Sequence, residues 1–185
     1  VLRDFHARCP QVRVEAADVP THEIVAAVET GQADLAISFV VPAGEALELQ
    51  PLFRSRVHAI LHPRHALARR RRLAWDALQG EPLIFIGRGS ELRIRAELPP
   101  QLQLVSGHEA NHTITALARV AADGGVAICA GYVAPMLALH GLRAVPLTAP
   151  VLDRPFVLYR NRTRPPSPAV QALAEFLRDH FAPWA

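Results

Sequence analysis

An almost unbroken apolar run, Leu35-Ala-Ile-Ser-Phe-Val-Val41, constrains this chain more than any other feature. A strand with one wet face alternates apolar and polar residues; a run like this one suits a strand covered on both faces. Just before it, Ile24, Val25 and Val28 are spaced as one face of a helix, and Gly31 supplies the left-handed residue that stops that helix. Helix, glycine stop and doubly covered strand together imply a layered α/β fold with mainly parallel sheets.

The rest of the chain keeps the alternation. Residues 1–9 read as a helix ended by Pro10, and Val12, Val14 and Ala16 alternate as in a strand. Thr21 is placed to cap the next helix, with Glu23 at its positive end. Strands are expected at Leu49–Phe53 and Val57–Leu61, and the pattern restarts after His62-Pro63. A short helix near Trp75–Leu78, a strand Leu83–Ile86, a turn Gly87–Ser90 and a helix to Leu98 follow. Leu102, Leu104 and Ser106 suggest the next strand; Ile114, Leu117, Ala118 and Ala121 make one helical face that Gly124-Gly125 ends. After strand Val126–Cys129, helix Val133–Leu139 and edge strand Leu142–Leu147 comes strand Phe156–Tyr159. Ser167-Pro168 then caps and opens a terminal helix with Val170, Leu173, Ala174, Leu177 and Phe181 as its apolar stripe. If that helix packs on the first lobe, the chain crosses between lobes near His62-Pro63 and near Asn161, which makes a hinge and a cleft.

At 185 residues the chain can bury a core either as one domain or as two small lobes of roughly 80 to 100 residues each. No stretch of about 18 apolar residues is present to span a membrane. The first residues lack the apolar segment of a secretory signal, so the expected compartment is the cytoplasm. Cys9 and Cys129 lie far apart without metal-like spacing and read as two buried thiols. All 20 basic residues are arginine, and the net charge of +3 is modest. Only Arg69-Arg-Arg-Arg72 is clustered, either as a solvated turn or as a contact with phosphate or a partner surface.

Catalysis and metal binding find little support. His58, His62 and His65 straddle a strand end and a proline that scatters their directions, and His108 and His112 converge only on a helix that starts after them. No metal and no cofactor is expected. Gly87-Arg-Gly-Ser90 lacks the third glycine and the distant acid of a dinucleotide fingerprint. Ser90 lacks a nucleophile elbow and reads as a helix cap. No nucleophile and base stand in a recognisable arrangement, so an enzyme is not expected.

Three motifs in order carry a resemblance: Gly31-Gln-Ala-Asp34 with its apolar run, Leu61-His-Pro-Arg-His-Ala-Leu-Ala68, and Val120-Ala-Ala-Asp-Gly-Gly-Val-Ala-Ile128. Together they resemble the effector-binding domain of LysR-type bacterial transcriptional regulators over essentially the whole chain. The resemblance implies two Rossmann-like lobes of the type II periplasmic-binding-protein kind, 1–62 with 162–185 and 63–161, around a small-molecule effector. It further implies a homodimer or tetramer, and DNA contact through a winged helix-turn-helix domain that lies outside this sequence. The family's strand before the first helix lies outside it too. This stretch is therefore not expected to bind an operator by itself. Subunits of the family pair antiparallel, here through residues near Leu2–Cys9 of one and Ile114–Ala121 of the other. A solute-binding protein for transport uses the same fold and is the alternative reading.

Ligands of open α/β sheets sit beyond the carboxyl ends of strands, near helix N-termini. Three such places are Pro20-Thr21, Gly87–Ser90 and Glu109–Thr113. Thr21 matches a position where the family places a hydroxyl on the effector, and it is also a natural cap. Arg88, beside Gly89 and Ser90, suits a carboxylate, although it also fits an ordinary loop arginine. Glu109, Ala110 and Asn111 occupy the segment that lines the family's cleft. Where several members carry an arginine for aromatic effectors, this chain has Phe39 followed by Val40. A monocarboxylate or aromatic acid is expected to fit better there than a dicarboxylate.

Overall fold

The computed structural model describes residues 1–184. They form two compact units: residues 1–54 with 155–184, and residues 55–154.

In the first unit, helices α1 (Leu2–Arg8) and α2 (Thr21–Thr30) precede strand β1 (Leu35–Phe39). Strand β2 (Leu47–Leu61) begins in this unit, and β8 (Asp153–Asn161) and helix α6 (Pro168–Phe181) complete it. β1 runs antiparallel to β8, with Leu35 opposite Arg160 and Phe39 opposite Phe156. Alternate β8 residues serve opposite faces. Val157 and Tyr159 pack with Ile24, Val28 and Leu47, while Leu158 packs with Leu52 and Leu177 of α6. β8 is thus covered by α2 on one side and α6 on the other, whereas β1 buries only Ser38 and leaves Ile37 40% exposed, so its apolar run is not covered on both faces as expected. Gly31 ends α2 at φ 77°, and the Arg164 guanidinium lies against it and donates to the Thr30 carbonyl at 3.0 Å. Ser167 caps α6 by accepting from the Val170 amide at 3.3 Å.

The second unit contains the rest of β2, a two-residue strand β3 (Leu73–Ala74), and β4 (Pro82–Ile86), α3 (Ser90–Ala96), β5 (Val105–Ala110), α4 (Thr113–Ala121), β6 (Val126–Ala130), α5 (Ala134–Leu137) and β7 (Arg143–Thr148). β4 lies between β5 and β6, parallel to both, while β2 runs antiparallel to β6 and β7. Period-two alternation again divides the core. Leu83, Phe85, Val126 and Ile128 join Trp75 and Ile94 on one face; Ile84, Ala127 and Cys129 join Ala116, Leu117 and Val120 of α4 on the other. Leu117 has no exposed surface, and its burial alone stabilises the unit by about 1.5–3 kcal/mol.

Some expectations shift. Residues 12–16 form no strand, because alternation creates a strand only where a neighbour takes the backbone hydrogen bonds, and none does. The two strands expected at 49–53 and 57–61 are one continuous strand of 15 residues. The units therefore divide within β2, at Arg54–Ser55, and within β8, at Arg154–Pro155, rather than at 62/63 and 161/162. His62 and Pro63 follow the end of β2, after Val57–Leu61 have already paired with β6 and β7. Asn161 is an anchor inside the first unit. Its amide donates to the carbonyls of Val28 at 3.4 Å and Glu29 at 3.1 Å, and its carbonyl oxygen accepts from the Thr163 amide.

Candidate functional site

The three parallel strands of the second unit end side by side, at Ile86, Ala110 and Ala130, and each passes directly into a turn that starts a helix. Hydrogen bonds tie these turns together. The Gly87 amide donates to the Ala110 carbonyl at 2.8 Å, and the hydroxyls of Thr113 and Tyr132 lie 3.0 Å apart. Val57 pairs with Ala130 in antiparallel register, which brings Ser55 past the end of β6, where its hydroxyl accepts from the Tyr132 amide at 3.0 Å. The result is a polar rim at the carboxyl edge of the sheet, where unpaired helix amides favour negative charge.

Positive φ at Gly87 (83°) and Gly89 (70°) turns the chain sharply out of β4. Arg88 stands between them, exposed, and its guanidinium has no acidic partner among the described residues; its carbonyl accepts from Arg93 Nη1 at 3.4 Å. Burial, and then the neighbouring Arg154, lower the Arg93 pKa. Ser90 does not cap α3. The left-handed Gly89 takes the cap position, which makes Ser90 the first helical residue, and its Oγ is buried without a hydrogen-bond partner. Such an oxygen costs free energy until something bonds to it. Glu109 and Asn111 are exposed around the buried Ala110.

The first unit holds the other expected residues. Thr21 is the first residue of α2 and not its cap; that position falls to Pro20, whose own φ of −56° and ψ of 141° place it outside the helix. No side-chain hydrogen bond caps α2. Phe39 ends β1, with its ring edge-on to Phe156 at 6.1 Å, and its carbonyl accepts from the Tyr159 hydroxyl at 3.0 Å. Val40 is 46% exposed, and its amide donates to the Pro155 carbonyl at 3.3 Å.

Sequence reasoning did not single out Ser55 or Tyr132, and it reached Thr113 only as the end of the Glu109–Thr113 segment. The available hints were a serine interrupting the second half of β2 and a tyrosine two residues beyond a fully buried strand.

The histidines are engaged separately. His58 Nδ1 is 2.8 Å from the Arg56 carbonyl, His62 Nδ1 accepts from the Arg64 amide, and His65 lies 3.2 Å from Glu81. Among the described residues, no three His, Cys, Asp or Glu side chains converge as metal ligands. Burial pushes the Cys129 thiol up to about 12.

Residues 1–182 match the family model described as LysR substrate binding domain. The chain is 26% identical to the hydrogen peroxide-inducible genes activator of Dickeya chrysanthemi, over 98% of this chain and 61% of that protein. It is 28% identical to the HTH-type transcriptional regulator MetR of Escherichia coli K12, over 76% of this chain and 45% of that one. The chain thus spans about three fifths of the first of these relatives. Among solved structures, the effector binding domain of QuiR in complex with shikimate matches with a TM-score of 0.81 at 20% identity, covering 98% of this chain and 88% of that one. The BenM effector binding domain with its effector benzoate matches with a TM-score of 0.80 at 19% identity, over 98% and 84%. These likenesses establish the type II periplasmic-binding-protein-like fold.

Proposed function

Because the chain belongs to the LysR substrate-binding-domain family, we propose that it is the sensing part of a cytoplasmic LysR-type transcriptional regulator whose effector is a small carboxylate, aromatic or alicyclic. Its curated relatives are transcriptional regulators and not enzymes. No helix among the described residues is long and apolar enough to cross a membrane.

The observation that carries the reading is the unmet bonding capacity beside β4. Arg88 has a free guanidinium, and Ser90 has a buried hydroxyl with no partner. A carboxylate satisfies both, since guanidinium and hydroxyl donors match its two oxygens. The exposed Asn111 adds a polar amide, and Glu109 disfavours a second negative charge on the ligand. From the first unit, Thr21 offers a hydroxyl, and Phe39 with Val40 an apolar wall in place of a charge. A ring bearing one carboxylate fits this set better than a dicarboxylate. Shikimate and benzoate, the ligands of the two neighbours named above, are both of that kind.

In this reading the effector contacts both units and favours one arrangement of them, to the extent that it binds that arrangement more tightly. The points proposed to flex are the unit boundaries at Arg54–Ser55 and Arg154–Pro155. In a dimer or tetramer paired through α1 and α4, such a shift changes the spacing of attached helix-turn-helix domains, and half-site spacing is a geometric requirement of dimeric binding. α4 leaves Ile114 46% exposed and α1 leaves Leu2 43% exposed, apolar surface suited to such a contact.

A peroxide sensor is a competing reading, raised by the name of one relative. Oxidation by peroxide proceeds through a thiolate. A thiol held at about 12 supplies almost none near neutral pH, so Cys129 disfavours that reading. Thermal unfolding of the purified chain against a panel of carboxylates tests the proposal. A saturable rise is expected, reaching about 2.7 kcal/mol at a hundredfold excess over Kd; no rise with any acid overturns it.

A further inference from the structure

The run Arg69–Arg72 is not used by the effector reading. It lies between two buried anchors, Ala68 and Leu73, that hold its ends on the second unit. All four arginines are exposed, as is Arg64, and none of the five has an acidic partner among the described residues. Sheet register extends the cluster. β7 pairs antiparallel with β2, which sets Arg143 opposite Leu61, and parallel with β3, which sets Leu147 beside Leu73. The chain preceding Leu73 therefore runs toward the Arg143 end of β7, the end from which Arg64 also departs. Glu81 is engaged with His65 at 3.2 Å.

A soluble surface ordinarily intersperses charges of both signs, and this one does not. The imbalance extends to the whole unit. Residues 55–154 contain 12 arginines and 7 acidic residues, whereas the other unit contains 8 and 10. Nor does the surface look like a protein interface. Interfaces between proteins are built on buried aromatic or apolar anchors, and of the large exposed apolar side chains described only Leu139 lies within five residues of any of these arginines. Fixed guanidinium charge with so little apolar surface suits a continuous polyanion backbone.

From this arrangement we propose that Arg64, Arg69–Arg72 and Arg143 form an electrostatic surface for the phosphate backbone of duplex DNA, independent of sequence. The regulator reading explains why a duplex is close by, but the chemistry does not depend on any effector.

The test is fluorescence anisotropy of the purified chain with a labelled duplex of arbitrary sequence, about 30 base pairs long, between about 20 and 200 mM NaCl. With six phosphate contacts the logarithm of affinity falls against the logarithm of salt with a slope of about −5. Changing Arg69, Arg70, Arg71 and Arg72 to serine leaves two contacts and a slope of about −2. The smaller change Arg70→Ser with Arg71→Ser leaves four and an intermediate slope of about −4, and serves if the larger variant folds poorly. A control of equal charge loss on the other unit, Arg3, Arg13, Arg162 and Arg178 to serine, keeps the original slope. The proposal is overturned by any of three results: no binding at the lowest salt, an equal loss in the control, or displacement by polyglutamate as effective as by unlabelled duplex, which would point to an acidic protein partner. None of these bears on carboxylate binding, so the sensor reading stands or falls separately.

Discussion

The buried hydroxyl of Tyr159 donates to the carbonyl of Phe39 at 3.0 Å and accepts from the amide of Val41 at 2.9 Å, so that one side chain fixes the path of the backbone where β1 ends. Between these two contacts lies Val40, exposed, with its neighbours held on either side. The apolar wall proposed for the effector is therefore set by a residue on a different strand. Tyr159→Phe leaves two backbone groups unpaired and is expected to cost about 1–3 kcal/mol in urea unfolding. It should also weaken effector affinity. Unchanged stability would show that water replaces the hydroxyl without loss.

Ser90→Ala should act in opposite directions on stability and on binding. Its Oγ is buried and unpartnered in the free chain, so its removal relieves a desolvation cost and is expected to raise the melting temperature or leave it unchanged. Affinity for a carboxylate should fall in the same variant. A loss of both together would mean that the hydroxyl serves the fold.

The two thiols should differ in reactivity. Cys129 is buried, with its pKa raised from 9.0 to about 12, while Cys9 is half-buried. With Ellman's reagent at pH 8, the folded chain is expected to titrate Cys9 rapidly and Cys129 only on unfolding. The shift also carries a sign for stability. The folded state keeps a proton that the unfolded chain releases, so the contribution of Cys129 is present below pH 9 and is lost as pH rises from there toward 12. Rapid modification of both thiols in the folded chain would restore the peroxide reading.

Association should depend on the exposed face of α4. Ile114→Glu places a charge where the dimer contact is proposed, and sedimentation at high micromolar concentration is expected to show a dimer for the original chain and a monomer for the variant. A variant that sediments as the original does would move the interface elsewhere.

The layered fold was legible because its evidence is local. The Gly31 stop and the Ser167 cap each follow from a residue and its immediate neighbours and stand where expected, and β1 lies where its apolar run placed it, although Ile37 on it is exposed. What depended on partners across space was less accessible. Val12–Ala16 alternates as a strand does but has no strand to bond with, and the unit boundaries lie inside strands that the sequence marks with no break. Caps were misplaced by one residue at Thr21 and Ser90, because Pro20 and Gly89 hold the backbone just outside each helix. Ser55, Thr113 and Tyr132 come together only through the register of β2 on β6 and the shared edge of parallel strands, which no spacing along the chain records.

The most direct test of the account is titration calorimetry with benzoate and shikimate on the original chain and on Arg88→Ala. An exposed arginine without an ion pair contributes little to folding, so the melting temperature should not change. Loss of a charged hydrogen bond to the ligand is worth about 1.5–3 kcal/mol, and binding should weaken by about 10-fold to 100-fold. Binding of equal strength in the two proteins would contradict the assignment of the carboxylate to the turn after β4.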